Sequence, residues 1–263
     1  MTANSLVVHR PTASSALALF VDCFWIHAGY TQPHARERVL PTGTMGLVFA
    51  VDTVGRASSG IAGPRSGFLE LDTSRPFSAI GVQFKAGGGS PFFGVPIGEL
   101  CNHAVPLDLV WGRFAAAIAD RLWDADTADE QFRILAGALL EKGGDRLVWH
   151  PAVRYAVNVA ERSPRAVSVN AVADRIGMSS RRFLDVFRSE VGLSPKAYWR
   201  IRRFTAVLNR IARSTDVDWA DVALSCGYFD QSHFNHDFRT FSGMSPSAYL
   251  RQHISRTHVV VGR

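Results

Sequence analysis

Two short runs of this chain gather side chains that make directional, often bidentate hydrogen bonds. The first run holds Ser180, Arg181, Arg182 and Asp185; the second holds Gln231, Ser232, His233, Asn235 and His236. Arginine donates two parallel bonds to the O6/N7 edge of guanine, Asn and Gln match adenine, and a carboxylate accepts from the cytosine amino group. Histidine donates when its ring is suitably placed, although its charge near neutral pH depends on its surroundings. Arg188 and Arg239 follow in the same two runs. Taken singly, each of these side chains serves equally well as a phosphate contact or a solvated group. The case therefore rests on the elements that carry them.

Those elements are two copies of one pattern. Ala173, Gly177, Phe183, Phe187, Gly192, Ser194, Pro195 and Tyr198 recur as Ala223, Gly227, Phe234, Phe238, Gly243, Ser245, Pro246 and Tyr249. The offset is 50 residues up to the glycine and 51 from the phenylalanine onward, so one residue is inserted just after the shared glycine. Each copy predicts two helices around a sharp turn. Ser168 and Asp218 stand where an N-cap starts the first helix, and Asp221 adds the second half of a capping box. Gly177 and Gly227 supply the left-handed conformation that ends it. Phe183 with Phe187, and Phe234 with Phe238, are spaced i, i+4 and share one face of the second helix. Helix, glycine turn and helix form a helix-turn-helix, whose second helix lies in a DNA major groove.

A helical repeat with no nucleic-acid partner is the plainer alternative, but solenoids generally need three or more copies. Charge also opposes it. Residues 145–263 carry 18 Lys+Arg against 10 Asp+Glu, whereas residues 1–144 carry 11 against 13. The whole chain's +6 thus resides in the repeat-bearing end, as phosphate binding requires.

These residues resemble the AraC/XylS family of bacterial transcription regulators. Gly177 through Pro195 is similar to that family's first helix-turn-helix, and Gly227 through Tyr249 to its second. The resemblance covers roughly residues 150–252. It implies two units that read consecutive major grooves, joined by a long helix. Ser194-Pro195 opens that helix with an N-cap and a proline at the first helical position. Ile201, Phe204, Leu208 and Ile211 then recur at helical spacing, with Arg200, Arg202, Arg203 and Arg210 between them. Two positions depart from the family pattern: Asp185 and His236 stand where it usually has arginine. The operator sequence therefore cannot be read from the consensus.

The rest of the chain predicts an α+β protein of two domains, residues 1–145 and 146–263. Cys23–His27, Gly46–Val51 and Ala79–Phe84 read as short strands of a barrel or sandwich extending to about residue 105. Helices follow: Thr127 and Glu130 cap a stripe of Phe132, Leu135 and Leu139 that ends at Gly143-Gly144, and another helix runs from Pro151 to a stop at Ser163-Pro164. Residues 10–112, with Phe24-Trp25, Arg38–Pro41 and Gly81–Leu100, resemble an N-terminal domain common in AraC-type regulators of uncharacterised ligand. That resemblance implies a sensing or dimerising module.

Trp25, Phe84, Phe92 and Phe93 are the candidate lining of an apolar effector pocket. Filling a barrel core is an equal use for them. Lys85–Ser90 lacks Walker spacing and reads as a flexible turn. Neither the histidines nor the three scattered cysteines have metal-ligand spacing, and no catalytic constellation or cofactor is expected. Met1–Arg10 is no secretory signal, and Ala16–Ile26, broken by Asp22, is too short to span a bilayer. The expected setting is cytoplasmic. The expected partners are double-stranded DNA, a small-molecule effector, RNA polymerase and a second copy of the chain. An N-terminal domain acting as an enzyme, and an effector-free architectural DNA binder, are the alternative readings.

Overall fold

The computed structural model describes residues 5–32, 34–162, 168–212, 217–251 and 259–261. The N-terminal half is built on a six-stranded antiparallel sheet. Its strands are β1 (Ser5–His9), β2 (Val21–Tyr30), β4 (Gly46–Asp52), β5 (Ala57–Ala62), β7 (Phe77–Phe84) and β8 (Ala104–Pro106), in the order β1-β2-β7-β4-β5-β8. A second sheet, in the order β6-β3-β9, contains β3 (Arg36–Val39), β6 (Leu69–Asp72) and the late strand β9 (Val259–Val261).

Alternation of side chains along each strand gives the large sheet two different faces. Phe24, Ile26, Leu47, Phe49, Ile80, Val82 and Phe84 are buried on one face. There they share a core with α1 (Ser90–Phe93), α2 (Asp108–Trp111), α3 (Arg113–Asp124) and α4 (Ala128–Gly143). Thr127 caps α4 by accepting from the Glu130 amide, and Phe132, Leu135 and Leu139 fill its inner stripe. On the other face Trp25 lies across Gly81, where an added Cβ would come within 2.3 Å of the indole.

The helices after α4 form the second half. They are α5 (Pro151–Arg162), α6 (Val169–Arg175), α7 (Ser180–Val191), α8 (Pro195–Ile211), α9 (Trp219–Ser225), α10 (Gln231–Ser242) and α11 (Pro246–Arg251). The Ser163-Pro164 stop expected after α5 lies outside the described residues. So do Met1–Asn4. Among the described residues no helix is long and apolar enough to cross a membrane.

The core of this half is not sealed by its own helices. Leu40 and Ala86 from the sheet domain are buried in it, with Phe68 packed against it. The glycine run is a turn, with the Gly88 amide donating to the Lys85 carbonyl at 2.8 Å, but it is a packed one, and Gly87 alone of the three faces the second half, at Val153 and Val191. Gly87, Gly88 and Gly89 are buried, and a Cβ on them would meet Trp149, the Phe20 carbonyl and the Met45 sulfur respectively. Glycine is required there for close approach.

Candidate nucleic-acid interface

Each helix pair is set by local chemistry that repeats between the copies. Ser168 caps α6 through the Ala171 amide, and Asp218 caps α9 through the Ala220 and Asp221 amides. Asp221 does not return the bond as a capping box would. Its carboxylate instead accepts from Arg210 on α8 at 2.5 Å. Gly177 and Gly227 turn the chain with φ of 68° and 82°, where a side chain would be strained. Ser179 and Asp230 then cap the twelve-residue helices α7 and α10. Gly192 and Gly243 close those helices at φ of 87° and 72°.

The inner faces of α7 and α10 are aromatic. Phe183 and Phe187 are fully buried, as are Phe234 and Phe238. Phe238 packs edge-on against Phe204 at 5.2 Å and Tyr249 at 5.4 Å. The outer faces are polar. Arg181, Arg182, Asp185 and Arg188 are all exposed on α7, and Gln231, Ser232, His236 and Arg239 on α10, with Asn235 half-buried beside them. On each helix these positions recur three or four residues apart and share one face.

Three of the proposed side chains have duties inside the protein. Ser180 is half-buried and its hydroxyl donates to Asn170 Oδ1 at 2.8 Å, tying α7 to α6. His233 packs edge-on against Tyr228 at 5.2 Å, with Nε2 3.7 Å from Asp237 Oδ2. Its ring is turned toward the protein rather than held out with Gln231 and Ser232. Arg188 lays its stem along the turn Ile97–Leu100, so that a Cβ on Gly98 would sit 3.2 Å from Arg188 Cγ.

The linking helix α8 is bound to both units. Toward the first unit it is apolar, with Tyr198 5.8 Å from Phe187. Burial pushes the Tyr198 hydroxyl well above the ordinary tyrosine range, which keeps it neutral. Toward the second unit α8 is polar. Arg200 donates to the Asp237 carboxylate at 2.6 and 3.1 Å, and Arg203 donates to the Gly227 carbonyl while lying over the Tyr228 ring. Asp237 is 1% exposed while Arg200 remains 31% exposed, so the pair is wet on the arginine side, and removing Arg200 leaves the Asp237 carboxylate buried without this partner. The sequence places these arginines between apolar positions; it gives no sign that three of them are committed to holding the second unit.

The effector candidates separate. Trp25 lines a cavity of about 540 Å³, which Phe84 borders while its own ring is fully buried against Phe92 and Phe93 on the inner face. The cavity lies between the outer face of the large sheet, β3 and β6, and α8, with Gln83, Arg202 and Tyr198 on its wall. Phe92 and Phe93 do not reach it. They are 1% and 4% exposed and fill the other face, against Phe84 and Trp111, because α1 turns both rings into the core. Among the described residues no group of three or more His, Cys, Asp or Glu could hold a metal.

Residues 172–252 match a family model described as a helix-turn-helix domain, and residues 9–106 match one described as a domain of unknown function, DUF6597. Over 82 residues the chain is 37% identical to the HTH-type transcriptional activator RhaS of Escherichia fergusonii, covering 31% of this chain and 29% of that protein. It is 33% identical over 87 residues to the transcriptional activator NphR of a Rhodococcus species, covering 33% of this chain and 25% of that one. The matched segment thus spans less than a third of these relatives' own length. A solved structure of a probable AraC family transcriptional regulator from Rhodopseudomonas palustris is 29% identical, covering 39% of this chain and 96% of that one, with a TM-score of 0.35. The chain thus carries a helix-turn-helix domain over residues 172–252, preceded over residues 9–106 by a domain of unknown function, DUF6597.

Proposed function

We propose that this protein is a sequence-specific, DNA-binding regulator of transcription, and that α7 and α10 enter two consecutive major grooves. The observation that carries this reading is the paired outer faces, each on a capped twelve-residue helix whose inner face buries two phenylalanines four residues apart, fixed to one shared helix. At 1.5 Å per residue, α8 is about 26 Å long, of the order of the ~34 Å groove repeat. Arg181, Arg182 and Asp185 on the first helix, and Gln231, Ser232, Asn235 and His236 on the second, are the base-reading candidates. Arg188 and Arg239 lie in the last turns and suit phosphates. His233 and Ser180 position the helices. The test is the salt dependence of duplex binding by the full-length chain. Affinity falling steeply and log-linearly with salt supports phosphate contacts; no binding at low salt overturns the reading.

The cavity against α8 favours control by a small molecule. Its volume lies in the range of ligand sites. Its wall combines Trp25 and Tyr198 with Gln83, Arg65 and Arg202, which suits a compound with a flat apolar body and a polar or anionic end. A ligand there touches the helix that sets the spacing of the two units, and it acts through its different affinity for different placements of α8. A screen by thermal shift tests this. A stabilising compound must also change duplex affinity, and Arg202→Ala must weaken both effects. Stabilisers that leave duplex affinity unchanged sink the regulatory reading.

A further inference from the structure

The residue inserted between the two copies can be identified from backbone hydrogen bonds. The Met178 amide donates to the Ala173 carbonyl and the Tyr228 amide to the Ala223 carbonyl, both at 3.0 Å. Met178 and Tyr228 are therefore equivalent, at an offset of 50. The next equivalent pair is the N-caps Ser179 and Asp230, at an offset of 51. The extra residue is Phe229.

Phe229 is also the most exposed large hydrophobic side chain among the described residues, at 91%. The aromatic residues around it in sequence are used differently. Tyr228 and Phe234 are buried at 3% and 0%, so the core beneath this turn is filled without Phe229. Asp230, the next residue, has its carboxylate committed to the His233 amide at 2.7 Å. The phenyl ring thus stands free at the N-terminal end of α10, one residue before the cap and two before Gln231. Leu224, in the last turn of α9, is a second bulky apolar group left 74% exposed in the same helix-turn-helix.

The N-terminal residues of a recognition helix are the ones that meet base edges. Only one base presents an apolar group in the major groove: thymine, through its C5-methyl. We propose that Phe229 reads a thymine methyl in the half-site of the second unit, and that the first unit has no counterpart. The inserted residue would then give the bound site a direction, because one half demands a methyl that the other does not. This rests on the DNA-binding reading above.

The test uses the full-length protein and a duplex obtained by selection from a random pool. Each thymine in the α10 half is replaced in turn by deoxyuridine, which removes only the methyl. Wild-type protein should lose about three- to fivefold in affinity at one or two adjacent positions, the worth of one buried methyl. Phe229→Ala should bind the thymine and uracil duplexes equally there, and Phe229→Leu should keep part of the difference. Because the ring is exposed, both variants should melt at or above the wild-type temperature. Failure to find any position at which Phe229→Ala abolishes the thymine–uracil difference overturns the proposal alone. So does a Phe229→Ala protein that binds every duplex like wild type but fails to activate transcription with RNA polymerase, since the ring then docks on protein. A wild-type protein that selects no duplex overturns the DNA-binding reading and this proposal with it.

Discussion

Arg181 and Arg182 are exposed on the outer face of α7, unlike Arg200, Arg203 and Arg210 of α8, which bind Asp237, Gly227 and Asp221. If Arg181 grips a base edge, Arg181→Ala costs about 1–3 kcal/mol on the selected duplex and much less on random DNA. Titration of both duplexes checks this, and equal losses reduce Arg181 to a phosphate contact. The cysteines behave oppositely, as inert groups. Burial, then the neighbouring Asp22, pushes the Cys23 thiol up to about 11, and burial raises Cys101 and Cys226 as well. The raised native value means that the folded protein favours the protonated thiol. Any stability this lends is complete below the unfolded thiol's pKa of about 8.5 and is lost as pH rises toward 11. At pH 8, thiol-reactive dye should label the native chain far more slowly than the unfolded one. Rapid labelling of Cys23 in the native chain would show that its thiolate is accessible.

At the scale of elements, the second half of the chain was legible because its signals are local. N-cap residues, glycines at positive φ and i, i+4 aromatics each report on a few neighbouring residues. The helices α6, α8 and α9 accordingly start at Ser168, Ser194 and Asp218, whereas the caps of α7 and α10, Ser179 and Asp230, were not marked by the repeat. What was not legible is non-local. Strand alternation marks Phe84 as a strand residue but does not say that Phe92 and Phe93 leave the cavity to Trp25. A glycine run reads as a loose turn until the Phe20 carbonyl and Met45 sulfur are seen against it. The same holds for α8, whose arginines look solvated in sequence and prove to clamp Asp237, Gly227 and Asp221. The aromatic inner face provides the element-scale test. Phe238 is fully buried between Phe204, Phe234 and Tyr249. Phe238→Ala should destabilise the protein by about 3–5 kcal/mol, measured by denaturant melting, with DNA binding lost only where the fold is lost. A variant that melts like wild type yet fails to bind would place Phe238 on the surface.

At the scale of the molecule, the sheet domain touches both recognition helices at equivalent points. A Cβ on Gly192, after α7, would lie 2.4 Å from Pro64 Cγ; one on Gly243, after α10, would lie 2.8 Å from Arg38 Nη1 and the Phe68 ring. Arg38 also donates to the Gly243 carbonyl at 3.4 Å. The N-terminal domain therefore braces the spacing of the two units from behind. For that reason a fragment of residues 146–263 would expose the surface that Leu40 and Ala86 now cover. Gly192→Ala combines a left-handed backbone cost of about 1–2 kcal/mol with the collision against Pro64. It should loosen the brace, so calorimetry should show melting split into two transitions or lowered by several degrees. An unchanged single transition would mean that the contact is not tight.

On the reading proposed above, two units held by one helix meet two grooves on one face of the DNA. Selection of a preferred duplex by the full-length chain, followed by spacing variants of that duplex, tests it most directly. Two sequence blocks should emerge with centres about one helical turn, ~10 base pairs, apart. Inserting five base pairs between them, which rotates one block to the opposite face, should reduce affinity to that of either block alone. A single selected block, or undiminished binding after the insertion, would contradict the account.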